Sequence, residues 1–298
     1  MVTAEWIVKQ FEEWAPTHLA EEWDNVGLLI GDETQPVRKA LVALDATEGV
    51  IQEAISGGYD FIICHHPLVY NPIKRVTTAD SVGRKIIALL KNGIGCFCAH
   101  TNLDKAIGGV NDCLAEKIGL QDLTPLIPET TFVIPRFPED EIQNHIDTSK
   151  FPVTLIKPHS VCGIGRVGEL PNELTLTQLA EHVKTVLNLD VIRYSGDAGK
   201  IVKKIGICGG DGSGERYVNA AIGQKCDAYI TGDLRYHGVQ DALESGIGLL
   251  DITHYGGEVL VVDAIVSRLR NAADSAGFSS GKTAFEIFPS SICEQVFK

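Results

Sequence analysis

Apolar positions along this chain follow two alternating rhythms. Near the N-terminus, Trp6, Ile7, Phe11 and Trp14 recur at helical spacing among charged residues, which predicts an amphipathic helix. Beyond it the apolar runs are short and nearly continuous. Ala40 to Leu44, Phe61 to Cys64 and Ile94 to Ala99 read as strands, with helices over Glu48 to Ser56 and Ser81 to Lys91 between them. Unbroken apolar runs are what strands covered on both faces require, so the pattern predicts an α/β sheet with crossover helices.

A second series follows. It has a helix near Leu176 to Leu187 and strands near Lys204 to Cys208, Ala228 to Thr231 and Gly248 to Ile252, separated by helices near Arg216 to Ile222 and Gly238 to Glu244. Gly257 to Ala276 reads as one long helix. Between the two series the rhythm breaks, and six of the twelve prolines fall from Pro125 to Pro158, as expected of a linker or irregular insertion.

Composition narrows the picture. With 298 residues, 44% of them hydrophobic, the chain can bury a sizeable core as two domains or one large one. A formal net charge of −13 argues against a surface built to neutralise nucleic-acid phosphates. The N-terminus lacks the continuous apolar run of a signal peptide, and no stretch approaches the roughly 20 apolar residues of a membrane span, so a cytoplasmic location is expected. Eight cysteines form no C-x-x-C pair, and several lie in strand-like runs, where reduced thiols act as small core hydrophobes.

The candidate chemistry stands where strands end. The run from Phe61 to Cys64 leads into His65, His66 and Pro67; Pro67 is expected to end the strand so that both imidazoles reach one cleft. Alone, this pair also fits one buried and one exposed histidine at an ordinary strand end. Three further runs end similarly, leading to His100 and Asp104, to Asp233 and His237, and to His254 and Glu258. Open α/β sheets hold ligands beyond the carboxyl ends of their strands. His254 and Glu258, four residues apart, share a face if a helix starts there. Mixed histidine and carboxylate ligation without cysteine suits zinc, iron(II) or manganese with positions left open, and a carboxylate such as Asp104 or Glu258 could bridge two ions in a hydrolytic centre. The cluster Cys208-Gly-Gly-Asp-Gly-Ser-Gly214 matches neither a P-loop nor a complete dinucleotide fingerprint, and fits a plain strand-to-helix turn better than a phosphate cradle. No G-x-S-x-G elbow is present.

Seven segments together resemble the GTP cyclohydrolase I type 2 family, also called Ngg-interacting-factor-three-like. They are Glu22-Trp-Asp-Asn-Val-Gly-Leu-Leu29, Ile63-Cys-His-His-Pro67, His100-Thr-Asn-Leu-Asp104, Gly165-Arg-Val-Gly-Glu169, Gly209-Gly-Asp-Gly212, Asp227-Ala-Tyr-Ile-Thr-Gly-Asp233 and His254-Tyr-Gly-Gly-Glu258. The resemblance implies two α/β domains with layered sheets, a metal site in the cleft between them, and a C-terminal segment that returns to the first. The expected division is residues 1–120 with 249–298, a proline-rich linker or insertion at 121–160, and 161–248; the full inserted domain of longer relatives is absent. The likeness further implies a dinuclear divalent-metal site at His65, His66, Asp104, His254 and Glu258, and a ring-like homohexamer. His100 and His237 become candidate proton shuttles, with Asn102 and Asp233 nearby. The implied activity is hydrolysis of a small molecule: water attack at guanine C8 of GTP and release of formate. A metal-dependent phosphoesterase or nucleotide hydrolase, and a non-enzymatic metal-binding or scaffold protein, are the alternatives.

Overall fold

The computed structural model describes residues 1–129, 162–281, 284–293 and 295–296. The expected N-terminal helix is α1 (Ala4–Trp14), capped by the Thr3 hydroxyl and burying Ala4, Ile7, Phe11 and Trp14. It lies against a five-stranded sheet made of β1 (Gly27–Ile30), β2 (Lys39–Asp45), β3 (Phe61–His66), β4 (Gly95–Cys98) and the late strand β11 (Glu286–Pro289). The strand order is β1-β4-β3-β2-β11, parallel except for the β1 edge. Between the parallel strands run α2 (Glu48–Ser56) and α3 (Ser81–Lys91). Strand alternation divides the core: Phe61 and Ile63 pack with α1, while Ile62 and Cys64 face the side of α2 and α3.

The second sheet has the order β5-β6-β8-β9-β10-β7. Its strands are β5 (Gln121–Pro128), β6 (Gly163–Thr175), β7 (Arg193–Ser195), β8 (Ile201–Ile207), β9 (Ala228–Thr231) and β10 (Gly248–Asp251). Only β8, β9 and β10 run parallel to their neighbours in that trio. One face is covered by α5 (Val110–Ile118) and α6 (Leu176–Val186), the other by α7 (Glu215–Gly223) and α8 (Tyr236–Glu244). Of the 121–160 stretch expected to be linker or insertion, residues 121–128 form β5, and residues 130–160 lie outside the described residues. A strand tolerates Pro125 and Pro128 there because β5 is the edge of its sheet, where a missing N–H breaks no second ladder.

The segment expected as one helix from Gly257 is two: a short α9 (His254–Glu258), then α10 (Leu260–Ser275). Helix α10 returns to the first sheet, burying Val262, Ile265 and Leu269 in the core that α1 lines, and β11 then adds a parallel strand beside β2. The Arg166 guanidinium, buried on β6, donates to Asp112 of α5 and to the carbonyl of Ala106, tying the second sheet to the chain leaving the first. All eight cysteines are free. No helix among the described residues is long and apolar enough to cross a membrane.

Candidate metal centre

The carboxyl ends of β3 and β4 meet the loops after β8, β9 and β10, and the predicted histidines and acids converge there. Strand β3 does not stop at Cys64: Asp45 at the end of β2 pairs in register with His66, so the ladder holds through both histidines before Pro67 ends it. Even so, the two rings lie with centroids only 5.0 Å apart. His65 is fully buried, and its Nδ1 donates to the Ala99 carbonyl at 2.8 Å. His66 binds Asp45 through Nδ1 at 2.9 Å and Glu258 through Nε2 at 2.9 Å.

Short helices bring the remaining groups. His100 is the N-cap residue of α4 (Thr101–Lys105), which carries the buried Asp104. Thr253 caps α9 with its hydroxyl and sets His254 and Glu258 one turn apart on one face, as their spacing predicts. Glu258 Oε2 stands 3.1 Å from His254 Nε2, and the Nε2 atoms of His254 and His66 are 3.2 Å apart. Three sets of possible ligand atoms result, each within 4.8 Å: His65, His66 and His100; His66, His254 and Glu258; His65, Asp104 and Glu258.

Each of these four histidines has its Nδ1 engaged by an oxygen. The partners are Ala99, Asp45, Asp24 for His100 at 2.9 Å, and Asp233 for His254 at 2.8 Å. That arrangement fixes ring orientation and leaves Nε2 to face the cluster, as histidine ligands require. Asp45 and Asp24 orient two of these rings, and no local pattern in the sequence marks them for that role. Asp45 ends the same apolar run read as Ala40 to Leu44, and Asp24 lies within the Glu22 to Leu29 segment. Asp45→Asn should weaken metal binding about 10–100-fold, the range for losing a group that orients a ligand, measured by competition with a chelating dye.

The donor set fits a cation. His65 Nε2 and Asp104 Oδ1 are buried 3.6 Å apart, and neither has a hydrogen-bond partner among the described residues. Buried polar groups are almost always paired, and an ion would satisfy both. Electrostatics agree. Burial raises the Asp104 carboxyl, with the Glu258 charge adding to it against the pull of His65. Burial works against His66, yet its bonds to Asp45 and Glu258 lift it to about 11. Glu258 is also penalised by burial, but the close contacts of His254 and His66 and the charge of the nearby His65 hold it well below the ordinary carboxylate range. Asp24, despite burial, is brought down to about 2 by His100 and Thr101.

Backbone strain collects here. Asp233 and Thr253, which respectively bind and precede His254, adopt left-handed backbone (φ 53° and 64°), a costly state for the β-branched Thr253. The glycine cluster after β8 has a packing role. Gly209 donates to the buried Asn111, and Gly257 packs against Gly209 and Gly210, so these glycines let two backbones meet. A Cβ on Gly210, itself at φ +67°, would lie 2.1 Å from Glu258 Oε1. Gly210→Ala should therefore displace the carboxylate and cut metal affinity about tenfold or more, whereas Gly223→Ala, which meets nothing within 4 Å, should leave it unchanged.

His237 stands apart from the cluster. Helix α8 starts at Tyr236, and His237 is exposed with Nδ1 3.4 Å from Gln240 on its own helix.

A two-sheet α/β protein with a histidine and carboxylate cluster at facing strand ends is the class these features define. Residues 2–287 match the Duf34/NIF3 (NGG1p interacting factor 3) family, and the chain belongs to it. It is 37% identical over 269 residues to a Clostridium perfringens protein named GTP cyclohydrolase 1 type 2 homolog, covering 90% of this chain and 92% of that protein. A Bacillus subtilis protein of the same name is 31% identical, with coverage of 93% and 94%. The crystal structure of a Bacillus cereus protein related to NIF3 superposes with a TM-score of 0.83 at 29% identity, covering 100% of this chain and 99% of that one.

Proposed function

We propose that this chain is a divalent-metal-dependent hydrolase of small molecules that holds two ions, of zinc, iron or manganese, among His65, His66, Asp104, His254 and Glu258. We further propose that its reaction is the one in its relatives' name, hydrolytic opening of the guanine ring of GTP with loss of C8 as formate. The buried, unpartnered pair of His65 Nε2 and Asp104 Oδ1 carries the metal assignment. Bound divalent cations would supply Lewis acidity, lowering the pKa of water and polarising the substrate. His100, its Nδ1 held by Asp24, keeps Nε2 to accept a proton from the attacking water and return it to ring nitrogen as the imidazole opens. The contacts of Ala99, Asp45 and Asp233 with the Nδ1 atoms of His65, His66 and His254 keep these other three imidazoles from reorienting during turnover.

The family likeness also leads us to propose a hexamer, which sedimentation would register as six times 32.2 kDa. The test of function is to measure metal content and incubate the protein with GTP and a panel of phosphate esters. Formate release is the expected result. Inorganic phosphate instead would move the assignment to a phosphoesterase, and bound metal with neither product would move it to a non-enzymatic metal-binding protein.

A further inference from the structure

Beside the metal cluster lies a cavity of about 500 Å³ whose lining includes Trp23, Tyr70, His100, Asp104 and Glu258. Two of these residues have no role in holding an ion. Trp23 is 56% exposed and Tyr70 51%, although large aromatics usually bury most of their surface. Their ring centroids are 5.7 Å apart, and Trp23 stands edge-on to His100 at 6.0 Å.

Neither ring is on a loose tether. Trp23 precedes Asp24, whose carboxylate is fixed by His100 and by the Thr101 backbone and hydroxyl. Asn25 then donates from Nδ2 to the Val69 carbonyl at 2.6 Å, holding the residue before Tyr70. The Trp23-Asp24-Asn25 tripeptide thus does three things in sequence: it presents a ring at the cavity, orients His100, and pins the loop with the second ring. An exposed aromatic pair whose chain neighbours are hydrogen-bonded in place beside the histidine and carboxylate cluster has the properties of a stacking surface. Aromatic faces bind planar bases with little demand on sequence or substituent, and a fixed ring loses little entropy on binding.

We infer that Trp23 and Tyr70 form a stacking wall that binds the planar heteroaromatic ring of the substrate and sets that ring next to His100 and the cluster. The inference rests on the small-molecule hydrolase reading above, and it makes the base of a nucleotide, rather than its phosphates, the main recognised part.

Binding separates the two ideas. Titrate the metal-loaded protein with guanosine monophosphate and, in parallel, with ribose 5-phosphate, following heat and tryptophan emission. Trp14 is buried and Trp6 packs on Phe278 and Phe285, so quenching reports mainly Trp23. Guanosine monophosphate should quench and ribose 5-phosphate should not. Trp23→Ala should weaken the nucleotide roughly 5- to 150-fold, the span for losing one base stack, while ribose 5-phosphate binding stays unchanged; Trp23→Phe should recover most of the loss. Nucleotide binding by Trp23→Ala within twofold of the parent, or equal affinity of the parent for both ligands, overturns the inference. Stacking with no formate release from GTP would instead sink only the cyclohydrolase assignment.

Discussion

Replacing Glu258 with glutamine should strip most bound metal from the protein while leaving it folded. Glu258 is shared by two of the ligand sets, one with His66 and His254 and one with His65 and Asp104. Its Oε2 lies within 3.1 Å of two imidazole nitrogens and its Oε1 3.8 Å from a third. Removing its charge therefore weakens both of the carboxylate-containing cation positions that the cluster offers. Loss of an orienting group costs about 10–100-fold, so loss of a shared ligand should cost at least the upper end of that range. The fold should survive because glutamine keeps the volume, and because His66 and His254, without the carboxylate, return toward ordinary imidazole pKa values rather than remaining buried cations. His65→Ala should also lose metal. Elemental analysis beside far-ultraviolet circular dichroism reads both outcomes, and full metal retention in folded Glu258→Gln would remove this residue from the ligand set.

Much of this cluster could be read in the sequence because parallel sheets put ligands at one end of their strands. His65, His66, His100, Asp104, His254 and Glu258 each follow an apolar run, and the structure brings all six together. Pairing between strands was the part that could not be read. Asp45 orients His66 only because β2 and β3 align Asp45 with His66, a register no local pattern encodes. The separation of His237 from the cluster has the opposite origin. It is close to Asp233 in sequence, yet the start of α8 turns it along its own helix. Strands β1 and β6 escaped notice because β1 is only Gly-Leu-Leu-Ile and β6 mixes glycine and charge with its apolar residues, hiding the continuous apolar signature of the parallel strands. The break between α9 and α10 was masked by an apolar pattern that continues across Val259.

Metal affinity and metal-free stability should move in opposite directions with pH. In the metal-free protein the hydrogen bond with Glu258, against burial, raises His254 to about 9, and His66 is lifted to about 11 against an ordinary value of 6.5. Because these folded-state values exceed the unfolded one, their stabilisation is complete below 6.5 and is lost as pH rises through 9 and then 11. Glu258 has the reverse sign: depressed below 4.5, it contributes stability above that value and loses it as pH falls. The cluster thus favours the metal-free fold most between about 4.5 and 6.5. A divalent ion needs the Nε2 lone pairs of His66 and His254, so binding at neutral pH must expel both protons. Two displaced protons give an affinity that climbs by up to about a hundredfold per pH unit below 9. Calorimetry in buffers of different ionisation enthalpy should therefore show at least two protons released. Between pH 6 and 8 the melting temperature of the metal-free protein should fall while the increase on adding zinc grows. A zinc affinity that stays flat across that range would exclude His66 and His254 as ligands whose protons the ion displaces.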